Sequence, residues 1–246
     1  MMLAAATLRN QMVESQIAAR GVVDKAVLAA MREVPRERFV PDRLADLAYA
    51  DRPLPIEADQ AISQPYIVAL MIEAAGVRAG DRVLEIGAGS GYAAAVLSRI
   101  ARRVYAMERQ PELAELARRR MAAFGYDNVA IRTGDGSAGW PESAPFDAIL
   151  VAAGGPSIPQ PLREQLALGG RLVMPIGTSG IQRLVRLTRQ SDSKYDRDDL
   201  GDVCFVPLIG AYGWADDAGS DALVEHVPRL TATSAFKSGA KEQAKE

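Results

Sequence analysis

The stretch VLEIGAGSGY, residues 83–92, is the most informative part of the chain. An apolar run with the length of a buried strand leads into three alternating glycines, and a helix-forming run follows them. Glycine at positions 87, 89 and 91 lets the backbone turn tightly and approach a ligand closely, because no Cβ stands in the way. Strand, glycine loop and helix in this order predict a ligand-binding turn in an α/β fold.

Short apolar runs alternate with helical patterns after this turn. Strands are predicted at 82–86, 104–107, 129–133, 146–152 and 171–175, and helices at 92–101, 111–124 and 161–168. Strands that alternate with helices indicate a parallel sheet covered by helices on both faces. Two more strand-like runs, 184–188 and 203–209, have no helix between them and predict antiparallel additions at the sheet edge. The polar segment 190–199 between them is interpreted as a loop.

The chain divides into three parts by composition and pattern. Residues 1–80 are predicted to form a helical region that carries the acceptor site and packs on the core. Within it, Gly21 is expected to end a first helix and Asp24 to cap a second. Residues 81–215 form the predicted α/β domain. Residues 216–246 are rich in Ala, Asp, Ser, Lys and Glu, a composition that predicts a mobile tail.

Composition excludes several classes of protein. The chain has 246 residues, of which 48% are hydrophobic and 24% charged, and a formal net charge of −2. This balance gives no field that would attract nucleic acid or an acidic membrane surface. No run approaches the roughly 18 apolar residues of a membrane span, and the first residues lack the pattern of a secretory signal. We expect a soluble, cytoplasmic, monomeric protein without nucleic-acid or membrane partners.

Single residues narrow the chemistry further. Cys204 is the only cysteine and His226 the only histidine, which argues against a disulfide framework, a histidine-based triad and a histidine-ligated zinc site. No metal site is expected. Cys204 lies in an apolar run and is expected in the core. The basic run 118–120 is interpreted as a solvated helix face.

Two acidic residues follow the predicted second and third strands. Glu108 comes about 20 residues after Gly87, where a carboxylate can accept hydrogen bonds from ribose hydroxyls. Asp135 and Gly136 end the third strand, where they could reach an adenine amine. Taken singly, Glu108 could be a helix-start charge and Asp135 a turn residue, but together they define one adenosine-sized crevice. Tyr92 stands where a dinucleotide fingerprint has Gly or Ala, which favours a nucleoside over a pyrophosphate.

The glycine loop with these acidic residues resembles the class I S-adenosylmethionine-dependent methyltransferases. The resemblance rests on the E-x-G-x-G-x-G pattern of residues 85–91, the acidic end of the second strand, and Asp135. It implies a three-layer, doubly wound, seven-stranded and mostly parallel sheet, with S-adenosylmethionine as the cofactor. The cofactor-binding residues it implies are Glu85, Gly87, Ala88, Gly89, Ser90, Gly91, Glu108, Asp135 and Gly136.

Longer segments resemble the protein-L-isoaspartate O-methyltransferase family. They include VPRERFVP, AYADRPLPI, AISQPYIVALM, GDGSAGWPESAPFDAILVAA and FVPLIGAYGW, and the similarity runs from about residue 9 to residue 214. The resemblance implies methylation of the α-carboxylate of L-isoaspartyl residues in damaged proteins and peptides, followed by closure of the ester to a succinimide. It also implies that Ser63 is the active-site serine.

Ser63, Gln64 and Pro65 stand where a helix is predicted to begin. Serine is a preferred N-cap, and proline is tolerated in the first turn. A hydroxyl beside free backbone N–H groups at a helix start also suits a carboxylate ligand. We expect Ser63 to act as the cap and to position the acceptor.

Two segments depart from the family's usual pattern. The family reads close to G-x-G-Q-T-I-S-Q-P before the helix, whereas this chain has Glu57, Ala58, Asp59, Gln60 and Ala61. Ala152 to Gly155 stand where a hydroxyl-bearing run is common. These changes leave open a related methyltransferase that acts on another carboxylate or small molecule, and a cofactor-binding protein with little turnover. A nicotinamide dehydrogenase is less well supported because of Tyr92.

Overall fold

The computed structural model describes residues 2–178 and 180–215, so the predicted tail and His226 lie outside the described residues. The helices are α1 (Met2–Gln11), α2 (Lys25–Glu33), α3 (Pro65–Ala75), α4 (Tyr92–Ser98), α5 (Pro111–Ala123) and α6 (Gln160–Glu164). The strands are β1 (Leu54–Pro55), β2 (Ala61–Ile62), β3 (Arg82–Ile86), β4 (Arg103–Glu108), β5 (Val129–Thr133), β6 (Phe146–Val151), β7 (Leu166–Gly177), β8 (Gln182–Arg189) and β9 (Tyr195–Val203).

The main sheet has seven strands in the order β5-β4-β3-β6-β7-β8-β9. Neighbours from β5 to β7 are parallel, and β8 and β9 are antiparallel. Side chains alternate between the two faces of a strand. Val83 accordingly joins a buried apolar cluster with α2 to α5, and Leu84 joins a second cluster with α6. This arrangement confirms the predicted three-layer, mostly parallel sheet.

The predicted last strand is wrong. The sequence pattern predicts a loop over 190–199 and a strand over 203–209, whereas the structure forms β9 from Tyr195 to Val203. Because β9 is an edge strand, ion pairs with β8 replace apolar burial: Arg183 pairs with Asp199 at 2.9 Å, and Arg186 with Asp198 at 2.9 Å. An apolar pattern cannot reveal such a strand. Cys204, which follows it, is exposed rather than in the core.

Residues 204–214, the strap, cross the end of the sheet instead of joining it. The N–H of Gly154 donates to the Val206 carbonyl at 2.8 Å, and the N–H of Leu208 donates to the Gly154 carbonyl at 2.8 Å. A Cβ on Gly154 would lie 2.5 Å from Nε2 of Gln182, whose side chain is itself held by the backbone of Phe205. Gly154, in the segment 152–155, is therefore required by the packing of Gln182.

The first 80 residues pack on the sheet as expected. Gly21 ends the first helical segment with φ of 98°, and the Asp24 carboxylate accepts the N–H groups of Ala26 and Val27 at the start of α2, so both helix-boundary predictions are confirmed. A division at residue 80 stays a prediction, since one apolar cluster joins residues from both sides. In the described part of the chain, no helix has the length and apolar character needed to cross a membrane.

Candidate functional site

The glycine loop is held against the end of β4. The N–H groups of Gly87 and Ala88 both donate to the Met107 carbonyl, at 2.9 and 3.0 Å. Gly91 has φ of 87°, and a Cβ there would lie 2.9 Å from Met121 of α5. Glycine at position 91 therefore allows both the left-handed turn and the close approach of α5.

Glu108 fastens the same loop with its side chain. Glu108 is 7% exposed, and its Oε2 accepts the N–H of Gly89 at 2.8 Å while Oε1 accepts the N–H of Gln110 at 2.9 Å. Two backbone donors compensate for the burial of the charge. Glu108 thereby joins the loop to the carboxyl end of β4, where it was predicted to meet a ribose.

A cleft of about 330 Å³ opens above the glycine loop. The hairpin of β1 and β2 (residues 54–62) with Ser63 borders one side, and the strap borders another. The predicted site residues that line it are Ser63, Glu85, Gly87, Ala88, Gly89, Ser90, Glu108 and Gly136. The structure thus brings the predicted acceptor residue and most of the predicted cofactor residues to one cleft.

Asp135 and Gly91 lie apart from this group. Gly91 faces α5, and Asp135 lines a neighbouring cleft of about 370 Å³. Asp135 Oδ1 accepts the N–H of Ser137 at 2.8 Å, and Oδ2 accepts the N–H of Ala211 in the strap at 2.8 Å. Burial opposes ionisation, but the hydrogen bonds from Ser137 and Ala211 outweigh it and lower the pKa of Asp135. In this structure the carboxylate anchors the strap, and its contact with an adenine stays a prediction.

Glu85 is a buried carboxyl group on the floor of the cleft. It is 2% exposed, and its Oε2 has no hydrogen-bond partner. Burial, and secondarily the negative charge of Glu108, raise the pKa of Glu85 well above its usual value. Glu85 therefore favours the neutral form, because no hydrogen bond to Oε2 offsets its burial.

The N-terminal region supports the first residue of α4 from below. Tyr92 packs edge-to-face on Phe39 with ring centroids 5.6 Å apart, and the Arg36 guanidinium lies 4.9 Å from the Tyr92 ring. Burial raises the pKa of Tyr92 to about 12 and lowers that of Arg36 to about 10. Arg36 donates to the Ala48 carbonyl at 2.8 Å, so the N-terminal segment VPRERFVP braces the glycine loop through Tyr92.

Ser63 lies at the mouth of α3 but does not cap it. The N-cap is Gln64, no side chain caps the helix, and Pro65 occupies its first turn, so the predicted capping role of Ser63 is wrong. The helix begins at Pro65, so the N-cap position falls on Gln64. Ser63 stands one residue before that position and cannot cap the helix. Among the described residues the Ser63 hydroxyl makes no hydrogen bond, which leaves it available to a ligand in the cleft.

The turn of the hairpin carries the residues that depart from the family's glycines. Ala58 and Asp59 both have φ of 54°, a left-handed conformation that costs a non-glycine residue about 1–2 kcal/mol. Asp59 is exposed, whereas the side chain of Glu57 is 32% exposed and lies 3.9 Å from Arg120. The side chain of Arg120 is only 12% exposed, so its assignment to a solvated helix face is wrong.

The strap lines the cleft, which its sequence pattern did not predict. Val206, Leu208 and Ile209 line it, although the sequence analysis placed them in a sheet strand. Pro207 was the available signal, because proline cannot donate to a strand ladder and argues against a strand interior.

Comparisons with known proteins agree on one family. A family model described as Protein-L-isoaspartate(D-aspartate) O-methyltransferase matches residues 7–213. The chain is 61% identical over 214 residues to Protein-L-isoaspartate O-methyltransferase 1 of Rhodopseudomonas palustris strain HaA2, with 87% of each chain covered. It is 59% identical over 211 residues to Protein-L-isoaspartate O-methyltransferase of Methylorubrum extorquens strain PA1, covering 86% of this chain and 92% of the relative.

Solved structures give the same result. A protein-L-isoaspartate O-methyltransferase structure superposes with a TM-score of 0.76 at 32% identity, covering 83% of this chain and 67% of that one. A Plasmodium falciparum protein described as a protein-L-isoaspartate O-methyltransferase, in complex with S-adenosyl-L-homocysteine, superposes with a TM-score of 0.71 at 26% identity, covering 82% and 98%. The sequence match, the fold and the cleft with its glycine loop together lead to one conclusion: the chain belongs to the protein-L-isoaspartate O-methyltransferase family.

Proposed function

We propose that this chain methylates the α-carboxylate of L-isoaspartyl residues in damaged proteins and peptides, with S-adenosylmethionine as the methyl donor. The methyl ester then closes to a succinimide, which gives a normal aspartyl residue a second chance to form. The observation that carries the proposal is that one cleft is lined by the glycine loop and Glu108 on one side and by Ser63 on another, in a chain of this family.

The residues of the cleft fit the cofactor. The volume of about 330 Å³ lies within the usual range of small-molecule sites. Glu85 Oε2 is a buried oxygen without a partner, so it suits a hydrogen-bond donor of the ligand. We assign the amino-acid part of the cofactor to Gly87, Ala88, Gly89 and Ser90, and the ribose to Glu108. When bound, S-adenosylmethionine supplies an electrophilic methyl group carried on a sulfonium.

The acceptor side needs little acid–base chemistry. A carboxylate with a pKa near 4 is already ionised at pH 7, so no general base has to remove a proton. The chain's task is to remove water from the acceptor and hold it in line, an effect of proximity and orientation. The Ser63 hydroxyl, free of partners among the described residues, and the uncapped start of α3 suit a carboxylate. We assign Ser63 the role of holding the acceptor.

The two acidic residues of the hairpin are compatible with an anionic acceptor. The Glu57 carboxylate lies 3.9 Å from the Arg120 guanidinium, which offsets its charge. Asp59 is exposed, so water and salt screen its charge strongly. The hairpin therefore gives no strong reason to prefer a different acceptor.

The direct test is transfer of labelled methyl to a short peptide that contains L-isoaspartate. The matched control is the same peptide with L-aspartate. We expect label on the isoaspartyl peptide alone. Label on neither peptide, in a protein that binds S-adenosylhomocysteine, would contradict the proposal and favour another acceptor or a protein with little turnover.

Replacement of Ser63 tests its role at the acceptor. A hydrogen bond to a charged group contributes about 1.5–3 kcal/mol, so Ser63→Ala is expected to lower kcat/KM for the isoaspartyl peptide by about 10- to 100-fold. Affinity for S-adenosylhomocysteine, measured by calorimetry, should be unchanged. The control is Ser193→Ala, which changes an exposed serine far from the cleft. Equal kcat/KM values for the two variants would remove Ser63 from the site.

Glu85 should make the stability of the ligand-free protein depend on pH. Its pKa is raised by burial in the folded state, so its contribution to stability is fully present below the ordinary glutamate pKa and is lost as pH rises through the folded value. Relative to wild type, Glu85→Gln is expected to gain stability over this window. Urea unfolding at a series of pH values measures the difference, with Glu112→Gln, at an exposed position, as the control. Parallel pH profiles for wild type and Glu85→Gln would contradict this assignment.

Three further expectations from the sequence stay predictions: a cytoplasmic location, a monomeric state, and the absence of nucleic-acid and membrane partners. Membership of the family implies that isoaspartyl-containing proteins and peptides are substrates.

A further inference from the structure

Arg120 reaches from α5 to two segments that border the cleft from different sides. Its Nη1 donates to the Ser90 carbonyl of the glycine loop at 3.2 Å. Its Nη2 lies 3.9 Å from Oε1 of Glu57 in the hairpin. One guanidinium therefore contacts the loop assigned to the cofactor and the hairpin that leads into Ser63.

The glycine loop packs closely against α5 and lies near the hairpin. A Cβ on Gly91 would lie 2.9 Å from Met121 and 3.3 Å from Ala117, so α5 presses directly on the glycine loop. The hairpin approaches the same loop, since Cδ1 of Ile56 would lie 3.7 Å from a Cβ placed on Gly89. Interiors packed at this density transmit displacement from one segment to the next.

The buried environment of Arg120 favours its pairing with Glu57. Its side chain is 12% exposed, and burial lowers its pKa. The negative charge of Glu57 partly opposes this lowering of the Arg120 pKa, and Oε2 of Glu57 is buried without a hydrogen bond. One guanidinium meets both segments, so a shift of the glycine loop at Ser90 changes the position of the guanidinium that faces Glu57.

We propose that Arg120 is a positioning residue that couples the hairpin to the glycine loop, so that binding of the cofactor strengthens binding of the acceptor peptide. This inference rests on the proposed function for the identity of the acceptor. The cofactor orders the loop at Ser90, Arg120 carries that order to Glu57, and the hairpin then holds Ser63 and its surroundings in the geometry that the peptide requires. By linkage, the peptide strengthens binding of the cofactor by the same factor.

The conformation of the hairpin turn explains why contact with Arg120 would affect binding of the peptide. Its turn holds Ala58 and Asp59 at φ of 54°, a conformation that persists only where surrounding contacts enforce it. Ordering a strained turn when the peptide binds would cost part of the binding free energy. A cofactor that orders the turn beforehand through Arg120 removes that cost.

The test measures the affinity of an isoaspartyl peptide with and without saturating S-adenosylhomocysteine, which cannot transfer a methyl group. For wild type we expect the cofactor product to raise peptide affinity by about fivefold or more. Arg120→Ala and Glu57→Gln should bring this ratio close to one. Arg120→Lys, which keeps the charge but cannot reach both partners as a planar fork does, should give an intermediate ratio. The matched control is Arg119→Ala, which removes an exposed arginine from the next position of α5.

A ratio of one in wild type, or a wild-type ratio in both Arg120→Ala and Glu57→Gln, would overturn the proposal. An equal fall of the ratio in Arg119→Ala would do the same, because the effect would then belong to the net charge of α5. Failure of Arg120→Ala to fold leaves Glu57→Gln as the deciding variant.

Hydrogen exchange at residues 56–60 separates this proposal from the proposed function, because it needs no acceptor. S-adenosylhomocysteine should protect these amides in wild type and in Arg119→Ala, and not in Glu57→Gln or Arg120→Ala. If the isoaspartyl peptide neither binds nor accepts methyl, the proposed function fails and the exchange result alone decides the coupling. Protection at 56–60 that is equal in all variants would overturn it.

Discussion

The cleft depends on one buried carboxylate. Glu108 accepts the N–H of Gly89 at 2.8 Å and the N–H of Gln110 at 2.9 Å, which ties the glycine loop to the strand beside it. A buried charge is tolerated only with such donors, and the carboxylate adds at Gly89 to the hydrogen bonds by which the Met107 carbonyl holds Gly87 and Ala88. Glu108 therefore holds the loop at Gly89 before any ligand binds, whereas Ser90, which Arg120 contacts, is the part of the loop on which the cofactor acts.

The acceptor side is built on weaker constraints. The hairpin has only two residues in each strand and a turn with two left-handed non-glycine residues. Its polar connections to the rest of the cleft include the ion pair of Glu57 with Arg120 at 3.9 Å. A cofactor loop anchored at Gly89, beside an adjustable acceptor segment, suits an enzyme whose substrates are damaged sites in many different sequences, because the common element is one carboxylate and not a shared surface.

Local sequence patterns predicted the strands around the glycine loop, but not the edge strand β9 or the strap. The strand, glycine loop and helix at residues 82–98 follow from short-range periodicity, so the fold and the cleft could be predicted. The edge strand β9 could not, because cross-strand ion pairs hold it and its apolar content is low. The path of the strap depends on Gly154, about 50 residues earlier, and the burial of Arg120 depends on the hairpin. Contacts at such separations leave no trace in the pattern of one segment.

Glu108 both shapes the glycine loop and, in the proposed function, binds the ribose of the cofactor. The most direct measurement is calorimetric titration of S-adenosylhomocysteine into wild type and Glu108→Gln, with melting temperatures to confirm that both are folded. The loss of a charge-assisted hydrogen bond of about 1.5–3 kcal/mol predicts an affinity that is about 10- to 100-fold weaker in the variant. Equal affinity in a folded Glu108→Gln protein would contradict the account, because the cofactor would then bind independently of the interaction on which the cleft is built.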